Sequence, residues 1–185
     1  IAGAAVQWLR DGIKIIRKAA DVEQLCNKHN SNRGVYLVPA FTGLGAPYWD
    51  PEARGAIIGL TRDSGVSEIV RAALESVCFQ TRDLFEAMAA DGVRPATVRV
   101  DGGMAANDWV MQFLADIMDV TIERPGDTET TVLGAAYLAG LGAGIFGSTD
   151  EIARKWRKAN SFAPDMATTQ RAALYQGWLD AVRSE

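Results

Sequence analysis

Residues 98–123 read VRVDGGMAANDWVMQFLADIMDVTIE, and this stretch decides the fold. A short β-branched run at 98–100 stops at Asp101-Gly102-Gly103. Residues 107–118 then place Trp109, Phe113 and Ile117 on one helical face, and 120–123 return to a strand. Two strands joined by a helix pair in parallel, with the helix as the crossover on one face of the sheet. Ahead of this unit, Ser67 or a near neighbour caps a long helix carrying Ile69, Leu74, Val77, Leu84 and Met88. Behind it, Pro125-Gly126-Asp127 turns the chain into a helix over 131–144 whose glycines and alanines suit close packing. The order helix, strand, helix, strand, helix predicts an α/β fold, a mostly parallel sheet with crossover helices.

The flanks complete the pattern. Val6, Leu9, Ile13 and Ile16 predict a first helix over about 3–30, residues 35–38 and 56–60 read as strands, and two helices near 149–158 and 168–184 close the chain. No repeat, low-complexity segment or Ser/Gly/Pro linker divides it, so residues 1–185 form one domain. The chain opens on Ile1 and enters a helical pattern without a cap, which reads as a piece of a longer protein or a processed terminus.

Composition narrows the function. With 48% apolar and 23% charged residues the chain builds an ordinary globular core. A net charge of −4 with scattered Lys and Arg offers no field for nucleic acid or an anionic membrane. Cys26 and Cys78 lack CxxC spacing, so neither a disulfide framework nor a zinc site is signalled, and a reducing cytoplasm fits. The most apolar run, residues 132–146, is shorter than a membrane span. There is no GxxxxGK[ST] loop. The GxGxxG at 142–147 follows an apolar helix instead of a strand, and reads as a helix-ending turn. His29, the only histidine, has no visible triad or metal partners and reads as a solvated bystander.

Chemistry concentrates at the Asp101-Gly102-Gly103 turn, at the carboxyl end of a strand where open α/β sheets bind ligands. Two glycines let a ligand lie on the backbone, the following helix presents free N–H groups, and Asn107 adds an amide that both donates and accepts. The same residues also suit a plain strand-to-helix turn. Asp101 and Asp50 read as turn-forming residues that bond nearby backbone, and Arg54 and Arg62 as surface pairs.

A second informative run is VYLVPAFTGLGAPYWDPEARGAIIGLTR at 35–62. Gly43 and Gly45 permit special backbone angles, Pro47 and Pro51 stiffen the path, and Phe41, Tyr48 and Trp49 supply packing, so the loop is built to be ordered. Its core, FTGLGAPYWDPEARG followed by GLTR, resembles the signature region of glycerol kinases within the FGGY family of carbohydrate kinases. Residues 55–60, with Glu68-Ile69 and Ala72-Ala73-Leu74-Glu75, follow a second pattern of that family. The resemblance covers the whole chain but only the carboxyl-terminal part of such a kinase. It implies the C-terminal domain of an actin-like ATPase (ribonuclease H-like) fold with its first strands missing. It also implies Gly103 and Asn107 as nucleotide contacts, with Gly102 a close neighbour. AGAAVQWLRD resembles the family's glycine-to-glutamine helix start and sets Gly3 and Gln7 beside the nucleotide, although Gln7 alone reads as a solvated helix-face residue.

The resemblance further implies ATP with Mg2+ as cofactors, the metal held mainly outside this chain, and phosphorylation of glycerol to glycerol 3-phosphate. No catalytic residue and few glycerol contacts fall here, so the isolated segment is expected to be inactive. Its exposed edge and apolar surface predict a homo-oligomer. Another FGGY sugar or polyol kinase, or a non-catalytic nucleotide-binding module, are the competing readings.

Overall fold

The computed structural model describes residues 2–126 and 129–184. Its spine is helix α3 (Val66–Ala90). Gly65 caps it, two residues before Ser67, because Glu68 turns back and its Oε2 accepts the Gly65 N–H at 3.0 Å. Small residues Ala72, Ala73 and Cys78 let neighbours approach, while Val70, Leu74 and Phe79 fill the space between. Around α3 pack α2 (Asp21–Cys26), β1 (Tyr36–Val38), α4 (Asp108–Met118) and α7 (Thr168–Arg183). Phe79 stacks on Trp178 at 5.5 Å and meets Phe113 edge-on at 5.7 Å. Truncating such a ring to alanine costs about 3–5 kcal/mol. Beside it the α3 residue Asp83 accepts bonds from Tyr175 Oη at 2.7 Å and Trp178 Nε1 at 2.8 Å, with the Tyr48 hydroxyl also on the carboxylate. Burial pushes the Asp83 carboxyl up, and these donors pull it back.

The predicted strand–helix–strand unit is present. β3 (Thr97–Arg99) and β4 (Thr121–Pro125) pair in parallel, Val98 opposite Ile122, with α4 as the crossover. The sheet is mixed, however, because β5 (Lys158–Phe162) adds to β4 antiparallel. The helix expected over 149–158 is only α6 (Thr149–Ala153), capped by Ser148 Oγ accepting the Glu151 N–H. Residues 158–162, KANSF, carry no apolar alternation and are strand through pairing alone: Lys158 Nζ reaches Glu123 at 3.0 Å, and Arg124 Nη2 donates to Asn160 at 2.9 Å. A separate antiparallel pair joins β1 to β2 (Ala56–Ile58), Leu37 opposite Ile57.

The expected first helix is broken. Helix α1 (Gly3–Gln7) runs into one π-helical turn (Trp8–Gly12), and Lys14 at φ +57° ends it. A side chain at Gly12 would meet Trp8 Cδ1 at 2.8 Å, so the indole folds over the glycine and packs against Phe41 at 5.1 Å. The wide turn keeps Leu9 and Ile16 buried but turns Ile13 outward.

In the loop between β1 and β2, Leu44 N–H donates to the Asp50 carbonyl at 2.7 Å, and Asp50 Oδ1 accepts from Glu52 and Ala53 N–H groups. Asp50 is thus the turn former the sequence suggests, and Arg54 donates to the carbonyls of Pro51, Glu52 and Ala53. Tyr48 packs inward; Trp49 does not, standing 75% exposed at φ +54°. His29 is also more engaged than a bystander, its Nε2 lying 3.2 Å from the buried Glu68 Oε1. Helix α5 (Thr130–Gly142) stops two residues short of the predicted end, in the turn expected over 142–147: Ile145 N–H returns to the Gly140 carbonyl and Phe146 covers Gly140. Asp127 of the preceding turn, and Ile1, lie outside the described residues.

Candidate functional site

The end of β3 shapes one wall of a cleft. Val100 N–H donates to the Glu123 carbonyl at 3.0 Å, the last ladder bond, and Gly102 then reverses the chain at φ +85°. Gly103–Ala106 make one 3-10 turn, closed by Ala105 N–H to the Gly102 carbonyl. Asn107 stays extended, and its Oδ1 accepts the Val110 N–H at 3.0 Å, which starts α4. The strand-to-helix turn the sequence allows is therefore present, with Asn107 as the cap of α4 through its Oδ1. The Nδ2 end remains available to a ligand.

The opposite wall is α1. Gly3, Gln7 and Arg10 follow one another at spacings of four and three, one face of a helix. Together with the glycine turn they bound a cleft of about 630 Å³. All five residues singled out from the sequence, Gly3, Gln7, Gly102, Gly103 and Asn107, line it. Its apolar lining comes from Val6, Val22, Leu74, Met104 and Val110.

Three features fix what the cleft can hold. Its size suits a ligand of drug or cofactor dimensions. A Cβ on Gly3, Gly102 or Gly103 would meet no protein atom within 4 Å, so the glycines leave bare backbone facing open space. The amino end of α4 adds the positive end of its dipole. Apolar side chains suit a flat ring, the amides suit its polar edge or a sugar, and the positive helix end suits anionic oxygen.

Sequence reasoning missed Arg10, Val22 and Leu74, which come together here only through the break after α1 and the placing of α2 on α3. Arg10 pairs with its neighbour Asp11 through Nε to Oδ1 and Nη2 to Oδ2, both 2.7 Å, which holds the Asp11 carboxyl below the usual carboxylate range. Asp101 is exposed and, among the described residues, the one carboxylate lining the cleft. No group of three His, Cys, Asp or Glu side chains able to hold a metal ion occurs among the described residues.

Comparison with known proteins agrees with this architecture. Residues 1–143 match the FGGY family of carbohydrate kinases, C-terminal domain. The chain is 62% identical over 183 residues to glycerol kinase 1 of Pseudomonas aeruginosa, covering 99% of this chain and 37% of that protein. It is 59% identical over 182 residues to a glycerol kinase of Alteromonas mediterranea, covering 98% and 37%. Among solved structures, Plasmodium falciparum glycerol kinase with ADP superposes with a TM-score of 0.87 at 36% identity, over 98% of this chain and 36% of that one. Ligand-bound xylulose kinase from Lactobacillus acidophilus superposes with a TM-score of 0.78 at 26% identity, over 94% and 35%. The chain spans about 37% of the length of the curated relatives it matches.

Proposed function

This chain belongs to the FGGY family of carbohydrate kinases, as the C-terminal domain, and from that premise we propose that it is the nucleotide-binding portion of a glycerol kinase. The reaction is transfer of the γ-phosphoryl group of ATP to a glycerol hydroxyl, giving glycerol 3-phosphate and ADP. The observation that supports the acceptor is identity to glycerol kinases, which reaches 62% where the ligand-bound xylulose kinase that shares the fold reaches 26%.

In this reading the cleft takes the nucleotide. Gly102 and Gly103 let it approach the backbone, Gly3 opens the start of α1 to it, Gln7 meets the ribose or phosphate, and the Nδ2 of Asn107 donates to the adenosine side. The α4 dipole favours its negative charge. In this reading the magnesium is held mainly outside this chain, and among the described residues no three His, Cys, Asp or Glu side chains gather to ligate it. The segment's part is to bind and orient the nucleotide, which in phosphoryl transfer is a large share of the work. Buried, unpaired Cys26 and Cys78 support a reducing cytoplasm as its compartment, and no described helix is long and apolar enough to cross a membrane.

The test is ADP release from ATP by the protein as its gene encodes it, with glycerol set against xylulose and gluconate. Turnover confined to glycerol is the expected result; turnover on a sugar or sugar acid, with none on glycerol, would move the chain to another branch of the family.

A further inference from the structure

A Cβ on Gly102 or Gly103 would meet no protein atom within 4 Å, so side-chain packing does not hold the turn that faces the cleft. Its place is set at its two ends, and consecutive residues of β4 hold both. On the near side the Glu123 carbonyl accepts the Val100 N–H at 3.0 Å. On the far side Arg124 Nη1 donates to the Ala105 carbonyl at 2.8 Å and to Asp108 Oδ1 at 2.7 Å. Ala105 belongs to the 3-10 turn and Asp108 opens α4, so one nitrogen joins the residues on either side of Asn107. The other arm of the fork, Nη2, donates to Asn160 Oδ1 on β5 at 2.9 Å, and Cζ stands 5.4 Å from the centre of the Phe162 ring. The Arg124 side chain is 12% exposed and is not among the residues that bound the cleft. A planar guanidinium bonded to three separate segments fixes their relative placement in a way a single flexible donor does not.

Resting on the nucleotide reading above, we infer that Arg124 is a positioning residue for the nucleotide: its guanidinium clamps the corner at 105–108 to the sheet and so holds Gly103 and the Asn107 Nδ2 against a ligand that Arg124 itself does not touch. The clamp serves the adenosine side, where Asn107 donates, so its loss is felt with or without phosphate. Losing charge-assisted bonds that set this geometry corresponds to about a tenfold change in affinity.

The experiment compares ADP with adenosine, which lacks phosphate, by calorimetry or ligand-observed NMR on the protein as its gene encodes it and on R124A, R124K and N160A, with amide exchange followed alongside. R124A is expected to weaken both ligands about tenfold and to speed exchange across residues 102–110 while α3 stays protected. R124K, which keeps the charge without the fork, is expected to stay weakened roughly threefold. N160A cuts only the arm to β5, and is expected to lower the melting temperature while holding ADP affinity within about twofold. Loss confined to ADP, full rescue by lysine, unchanged affinity in R124A, or an equal loss in N160A overturns the inference. Should R124A fail to fold, R124K and N160A decide the matter by the same outcomes. Wild-type protein that binds neither ligand overturns the nucleotide reading itself, a result separate from any effect of the variants.

Discussion

Two glycine-bearing regions of this molecule use the same residue for opposite reasons. In the β1–β2 segment the protein itself demands glycine: a Cβ at Gly43 would lie 2.8 Å from the Asp50 carbonyl oxygen, and one at Gly59 would collide with the carbonyl of Gly34. Both positions also sit at positive φ, +86° and +81°. At Gly3 and Gly103 no protein atom stands within 4 Å of such a Cβ, and φ is not positive. A glycine the fold does not need is a candidate for one the ligand needs. The contrast separates the loop that builds the domain from the turn that opens onto the cleft.

Substitutions across the two regions test this directly. Gly59→Ala should have the largest effect on stability, more than about 4 kcal/mol by chemical denaturation, because backbone cannot yield as a side chain does; a loss under about 1 kcal/mol would erase the contrast. Next comes the buried support of the same crossing. Asn32 Oδ1 accepts the Gly34 N–H, and its Nδ2 donates to Glu75, which also receives Arg71 Nε at 2.6 Å. Burial pushes the Glu75 carboxyl up to about 7 from 4.5, against the pull of Arg71 and Asn32. A raised carboxyl binds more protons in the folded state, so its contribution is present below pH 4.5 and is lost as pH rises through about 7. Urea midpoints should therefore fall between about pH 5 and 7.5 in the wild type and fall less in Glu75→Gln; parallel slopes would refute the assignment.

The cleft side should respond in affinity rather than stability. Asn107→Ala should cost about 1 kcal/mol through the lost cap. Asn107→Asp keeps an accepting oxygen at the helix start and should hold stability while weakening ADP about tenfold through the lost Nδ2 donor. Gly103→Ala should show the smallest effect on folding, within about 0.5 kcal/mol, with ADP affinity still reduced about tenfold by the methyl group in its path. If thermal shift shows Gly103→Ala to be as destabilising as Gly59→Ala, the open turn is structural after all.

What was legible in the sequence was what local periodicity controls. Trp109, Phe113 and Ile117 mark α4, and the glycine turn before it follows from chemistry confined to a few residues. The breaks were not local. The first helix stops short where the Trp8 ring folds over Gly12 and onto Phe41, a partner more than thirty positions from Trp8. Residues 158–162 are a strand because β4 offers an edge, and Trp49 faces water where its chemistry suggested packing. Gly3 and Gln7 were visible through family resemblance alone, since a glutamine beside a tryptophan carries no signal of its own. Arg10 went unseen because an Arg-Asp neighbour pair reads as a solvated surface until the opposite wall is in place.

The Asp83 carboxylate gives the chain a sense of time. Two of its donors, Tyr175 and Trp178, follow it by 92 and 95 positions. A ribosome therefore delivers the acceptor long before it delivers α7, and until that helix emerges the carboxylate lacks two of its three side-chain donors. The ring cluster around Phe79 can close only once translation of this segment is nearly complete, because Trp178 arrives with α7.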